Sequence, residues 1–114
     1  MREGLYSVHV QLGDGRPEKG SGVLLFRGGR ILGGDAFLLY VGTYSASDGR
    51  LHGEVVVNQH TPSPDARPLF GGREVGIGFT GEFADGRGDL VGTALVGRES
   101  LWFRATLRHL AGDG

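Results

Sequence analysis

The chain has 114 residues, 39% of them hydrophobic and 22% charged, which suits one folded core and hardly two. A formal net charge of −1 supplies no basic field for nucleic acid, and the absence of cysteine removes disulfides, thiol nucleophiles and zinc–thiolate sites together. No apolar run approaches the ~20 residues of a membrane-spanning helix, and "MREGLYSVHV" lacks the basic-then-apolar layout of a signal peptide, so a cytoplasmic single domain over residues 1–114 is expected.

Glycine contributes 23 residues without a collagen-like period, scattered between short apolar runs, as tight turns and bent strands require. The first run, "LYSVHVQL", alternates, with Tyr6, Val8, Val10 and Leu12 on one face and Ser7, His9 and Gln11 on the other. "GDGRPEKG" reads as a loop with Asp14-Gly15 as its turn signal. "SGVLLFR" is a second strand closed by Gly28-Gly29, a two-residue hairpin signal, and "RIL" a short third leading into Gly33-Gly34-Asp35. "FLLYVGTY" is a fourth strand, with a helical first turn as the alternative.

Ser47-Asp48-Gly49 then reverses the chain into "LHGEVVVNQH", where Leu51, Val55 and Val57 share one face and His52, Glu54, Asn58 and His60 the other. "TPSPDARPLFGG" carries three of the four prolines and reads as irregular. "REVGIGFTGEF" puts Val75, Ile77, Phe79 and Phe83 on one face with Gly81 between them. After Asp85-Gly86 comes "DLVGTALV", and after Gly97-Arg98-Glu99 comes "SLWFRATLRHL", with Leu101, Phe103, Ala105 and Leu107 opposite Trp102, Arg104, Thr106 and Arg108.

Evenly spaced strands joined by hairpin signals, with no 3.6-residue period, predict an all-β fold. About eight antiparallel strands are the number that closes a small up-and-down barrel. Gly76, Gly78, Gly81 and Gly92 are expected to bend its strands, and a half-barrel gapped at residues 61–72 is the alternative. Tyr6, Phe26, Phe79, Phe83 and Phe103 are the expected barrel interior, either filling it or lining a cavity for a small apolar ligand.

"GGDAF", residues 33–37, differs by one residue from the "GGDEF" signature of diguanylate cyclases. Ala36 stands where that signature has glutamate, and alanine can neither ligate Mg²⁺ nor assist a hydroxyl. The stretch is instead expected to be a structural turn, with Gly33 or Gly34 at positive φ and Asp35 accepting backbone hydrogen bonds. His52 and Glu54, with His9 on another strand, suggest a metal site only weakly, and His60 lies too far along an extended strand to join His52. Ser7, Ser21, Ser45 and Ser100 stand outside any Gly-x-Ser-x-Gly elbow. Trp102 between Arg104 and Arg108 suggests an exposed aromatic with an arginine packed on it, at a protein interface. No catalytic constellation, cofactor motif or metal set emerges from these residues.

"GLYSVHV", "GSGVLLFRGGRILGGD", "YVGTY", "LHGEVVV" and "GFTGEF", in that order, resemble the GrlR-like negative-regulator family associated with bacterial type III secretion. The likeness covers nearly the whole chain and is most specific over Gly4–Tyr44. It implies a calycin-like barrel without enzymatic activity that forms a homodimer and acts by binding a regulatory protein, such as a transcriptional activator, rather than DNA. The family's partner-recognition loop carries a cluster of acids before the "LH" strand. Here the matching "SASDGR" has one acid and one arginine, which leaves Ser47, Asp48, Gly49 and Arg50 as a candidate partner loop with little charge to steer a basic partner.

Overall fold

A computed structural model describes residues 1–12, 17–62, 74–96 and 98–112. Among them, eight strands follow one another in order: β1 (Gly4–Leu12), β2 (Pro17–Arg27), β3 (Arg30–Gly34), β4 (Leu38–Ser47), β5 (Arg50–Gln59), β6 (Val75–Ala84), β7 (Arg87–Val96) and β8 (Glu99–Ala111). Each pairs antiparallel with the next, and β8 returns to β1, from Leu5 opposite Ala111 to Leu12 opposite Phe103. The barrel is therefore closed, and the half-barrel alternative falls. Closure leaves no strand edge to template aggregation.

The alternation read from the sequence sets the wall. Tyr6, Val8, Leu24, Phe26, Ile31, Leu51, Val55, Val57, Val75, Leu90, Phe103, Ala105 and Leu107 are buried inside, with no buried polar or charged residue among them. Two boundaries differ from expectation. β2 begins at Pro17, inside the segment read as a loop; proline is tolerated at a strand's first residue, where its missing N–H is least needed. β4 is extended from its first residue, Leu38, so the helical alternative at its start is wrong. Asp14-Gly15 and most of the proline-rich segment lie outside the described residues.

At one end of the barrel, three hairpins turn on two residues each: Gly28-Gly29, Asp48-Gly49 and Asp85-Gly86. Both residues of every pair have positive φ, from 52° to 80°, the backbone that matches strand twist in a two-residue hairpin. Each turn is also tied to a later strand. Gly29 O accepts from Tyr44 N at 2.9 Å, Gly49 O from Phe83 N at 2.8 Å, and Gly86 O from His109 N at 2.7 Å. Glu3 completes the circuit: its Oε2 accepts from Gly28 N at 2.5 Å, and its carbonyl lies 3.2 Å from His109 Nε2, which must carry the proton since a carbonyl only accepts. Above this ring, His109, Tyr6, Phe26 and Tyr44 stack edge to face in series at centroid distances of 5.1 to 5.3 Å, and plug the end.

Glycine has a second role in the wall. A Cβ on Gly42 would fall on the Glu54 carbonyl oxygen, and one on Gly53 on that of Thr43, so β4 and β5 approach more closely than side chains permit. Gly33 and Gly81 meet Val23 and Asp89 in the same way. Of the four glycines expected to bend strands, Gly81 has such a neighbour and a Cβ on Gly92 would meet the Phe103 ring, whereas a Cβ on Gly76 or Gly78 would meet nothing within 4 Å. That pair points outward, so packing does not demand glycine there.

Candidate functional site

Asp35 organises the β3–β4 connection at the end opposite the hairpin ring. Its Oδ1 accepts from the N–H of Phe37 at 2.8 Å and of Leu38 at 2.7 Å, while its own N–H donates to Leu38 O at 3.0 Å. The Tyr40 hydroxyl donates to Oδ2 at 3.1 Å. Asp35 thus accepts backbone hydrogen bonds within the turn, as expected. The glycines before it behave differently. Gly33 and Gly34 belong to β3 and neither has positive φ. What requires glycine there is proximity: the Val23 carbonyl at Gly33, and the Leu38 carbonyl, 2.6 Å from where a Gly34 Cβ would stand. From the end of β5, His60 N and Thr61 N both donate to Phe37 O, and His60 Nε2 lies 3.0 Å from Asp35 O. His60 is therefore a clasp across this turn.

The barrel interior holds all five aromatic residues assigned to it. Phe26, Tyr6 and Phe103 are 0%, 2% and 6% exposed, and Phe79 and Phe83 are partly buried against the same core. They do not fill it. A cavity of about 70 Å³ remains, lined by Val8, Leu24, Val55, Leu90, Phe103 and Ala105 among others. Tyr40 also faces this space, and burial pushes its phenol pKa well up, followed by the charge of Asp35 and its hydrogen bond to that carboxylate.

The outside of the wall is two-sided. Cross-strand pairing sets Leu5 beside Leu25, Leu25 beside Leu32, Leu32 beside Val41, Val41 beside Val56, and Val56 beside Gly76. This row crosses six strands without a polar residue, and Leu32 and Val41 in its middle are 50% and 45% exposed. Val23 and Leu39, also exposed, flank Gly34 in the next row and widen the strip over β2–β4. On the other side of the row stand Arg27, Arg30, Thr43 and Glu54, paired in that order. The outer faces of β6–β8 instead expose Thr80, Glu82, Arg87, Asp89, Arg104, Thr106 and Arg108, and the exposed apolar residues there do not form a row: Val91 is paired with Thr80 and Arg104, Leu95 with Ser100 and Trp102 with Thr93, while Leu110 is also exposed.

The remaining candidates scatter over exposed positions. Ser47 and Arg50 are the last pair of the β4–β5 hairpin, and Asp48-Gly49 is its whole turn, so the candidate partner loop is a tight reversal within the hairpin ring. His52 and Glu54 project from the outer face of β5, with Ser45 opposite His52, on a convex surface that excludes no water. His9 faces Thr106 on the β1–β8 pair, far round the barrel from His52. Among the described residues, no three His, Cys, Asp or Glu side chains come together to hold a metal. Ser7 and Ser100 occupy outer positions opposite Arg108 and Leu95; the Ser21 side chain lies outside the described set. Trp102 is half-exposed opposite Thr93, and Arg104 and Arg108 share its outward face.

No protein-family model matches the chain, and no curated protein matches it. The GrlR-like likeness therefore rests on the sequence segments themselves. The outer strip and the Tyr40–Asp35 bond were not anticipated from sequence, although one signal for the strip was present. "GVLLF" and "FLLYV" are apolar at consecutive positions, which in an antiparallel sheet places apolar side chains on both faces.

Proposed function

We propose that this chain is a cytoplasmic, non-enzymatic regulatory protein that works by protein–protein contact through the apolar strip on β2–β5. A second copy of the chain is the first occupant of that strip. The observation that carries the reading is the apolar row Leu25–Leu32–Val41–Val56, exposed at Leu32, Val41 and Val56, on the outside of a barrel that already buries a core of its own.

Strands spaced ~4.8 Å apart give the row an arc of about 24 Å round the closed wall from Leu5 to Gly76, with its exposed residues on β3–β5. With Val23 and Leu39 the strip covers on the order of 300 Å², the low end of the range for the largest apolar patch on a monomer. Stable interfaces bury about 800 Å² per partner, so the strip would form the core and the neighbouring polar row the rim. That rim is self-complementary. Arg27 and Arg30 lie at its β2–β3 side and Glu54 at its β5 side. A two-fold axis running along the strands between β3 and β4 sets the arginines of each copy against the glutamate of the other. A bilayer is a poorer occupant, because the strip does not encircle the barrel and Glu82, Asp89, Arg104 and Arg108 would meet lipid. No helix of the described residues is long and apolar enough to cross a membrane.

The likeness of Gly4–Tyr44 to GrlR-type negative regulators adds the regulatory role, sequestration of a partner such as a transcriptional activator. Sedimentation analysis tests the strip directly. The wild-type chain is expected to run as a dimer at micromolar concentration, and Leu32→Glu with Val41→Glu as a monomer with unchanged far-UV circular dichroism. A wild-type monomer, or a dimer that survives both substitutions, would overturn the assignment.

A further inference from the structure

We propose that the outer face of β7, β8 and β1 holds a binding site for a phosphate monoester, the dianionic group of a phosphorylated side chain or a small metabolite. The site lies round the wall from the strip's exposed residues on β3–β5, and none of its residues belongs to that strip.

Strand register builds it. Arg87 of β7 stands directly opposite Arg108 of β8, and Arg108 directly opposite Ser7 of β1. In the next row Thr106 faces His9. These five residues and Leu110 line one open depression of about 670 Å³. Two guanidiniums, an imidazole and two hydroxyls make up its polar lining, and each can donate a hydrogen bond. Among the described residues no carboxylate lines it. Asp89, two residues along β7 from Arg87 and opposite Thr106, lines the depression on the other side of Arg87, with Asp48, Arg50 and Glu82.

The charges select the ligand. Like charges placed directly opposite on adjacent strands repel, and among the described residues neither guanidinium has an ion-pair or hydrogen-bond partner to offset this. An anion seated between them removes the repulsion. A phosphate monoester carries about −1.5 to −2 charges at neutral pH and presents three acceptor oxygens, which guanidinium forks take up in pairs. Ser7, Thr106 and His9 supply further donors beside them. A carboxylate has one charge and two oxygens, fewer than this set of donors can use. A phosphodiester also has a single charge, and a nucleic acid would carry a run of them past Asp89 and Glu82. Leu110, half-exposed at the same depression, gives apolar contact to the group that bears the phosphate.

N-acetyl-phosphoserine methylamide and adenosine monophosphate, titrated separately into the intact chain at ~0.1 M salt, are the probes. Nitrogen–proton spectra are expected to show saturable shifts at Ser7, His9, Arg87, Thr106 and Arg108. The tighter probe names the source, a modified protein side chain or a small metabolite. Arg87→Gln and Arg108→Gln, both at exposed positions, should each weaken binding about tenfold or more through lost charge-assisted bonds. Arg104→Gln removes the same charge from β8 outside the depression and should change binding less than about twofold. Three results would sink the site: no saturable shifts with either probe, an equal loss in Arg104→Gln, or tighter binding of a thymidine oligonucleotide than of both monoesters.

Discussion

The two ends of the barrel are closed by different chemistry. At the hairpin end, three two-residue turns are each tied by a backbone bond to a later strand, Glu3 links the last strand to the first turn, and four aromatic rings pack behind them. At the far end, the turn after β3 depends on one side chain, Asp35, with His60 reaching over it from β5. The difference separates an end held by redundant backbone bonds from a turn held by a single side chain. Redundant backbone bonds and interlocked rings make local opening at the hairpin end costly, whereas a side-chain-dependent turn gives way more readily.

The largest break in this comparison is Phe26→Ala. Phe26 is fully buried and touches two other rings of the stack, so its loss removes apolar burial and leaves a void that rigid neighbours cannot close. Denaturant titration is expected to register a loss of about 3–5 kcal/mol. A loss below ~1 kcal/mol, on the same scale, would show that the stack is not what holds this end.

Asp35→Ala tests the opposite end and should cost about 2 kcal/mol. It strips an acceptor from two backbone N–H groups, but water can reach the partly exposed turn and satisfy part of the deficit. Asp35→Asn keeps one oxygen in place and should recover much of the loss. Equal stability of Asp35→Ala and the wild-type chain, measured the same way, would remove the turn's dependence on this side chain and with it the contrast between the ends.

The same division governs what could be read from the chain. Gly28-Gly29, Asp48-Gly49 and Asp85-Gly86 announced the hairpin end because turn chemistry is local: two residues determine the backbone between two strands. Asp35 was legible for the same reason, since its bonds reach only two and three residues ahead. The positive φ expected at Gly33 or Gly34 was wrong because a Gly-Gly-Asp string does not reveal where the strand stops. That depends on β2 pairing up to Val23 and Gly34, a contact made across the barrel wall. The outer strip escaped notice for a related reason. Leu25, Leu32, Val41 and Val56 are scattered over 32 positions and become one row only through the registers of four strands. His60 as a clasp required knowing that β5 ends beside the β3–β4 turn. The cavity is a difference between the space enclosed and the side chains that fill it, which no pattern along the chain encodes.

Tyr40 connects the inside of the wall to the Asp35 turn, and its effect is the smallest and the most diagnostic. Burial, the nearby carboxylate charge and the bond to Asp35 all favour the neutral phenol, so its folded pKa lies above the ordinary value of about 10. The folded state therefore holds this proton more tightly than the unfolded chain does. Its contribution is complete below about pH 10 and is lost as pH rises from there through the folded pKa. Tyr6 and Tyr44 are also raised by burial, with Arg2 opposing the rise at Tyr6 and a backbone hydrogen bond at Gly29 opposing it at Tyr44. Tyr40→Phe should cost about 1 kcal/mol at neutral pH through the lost hydrogen bond, and should make the alkaline decline shallower. Unfolding titrations across pH 8 to roughly 11, bracketing the ordinary tyrosine range, separate the ends. If Tyr40→Phe leaves the slope unchanged and Tyr44→Phe flattens it, the alkaline weak point belongs to the hairpin end. A flattened slope in Tyr40→Phe alone assigns it to the Asp35 turn.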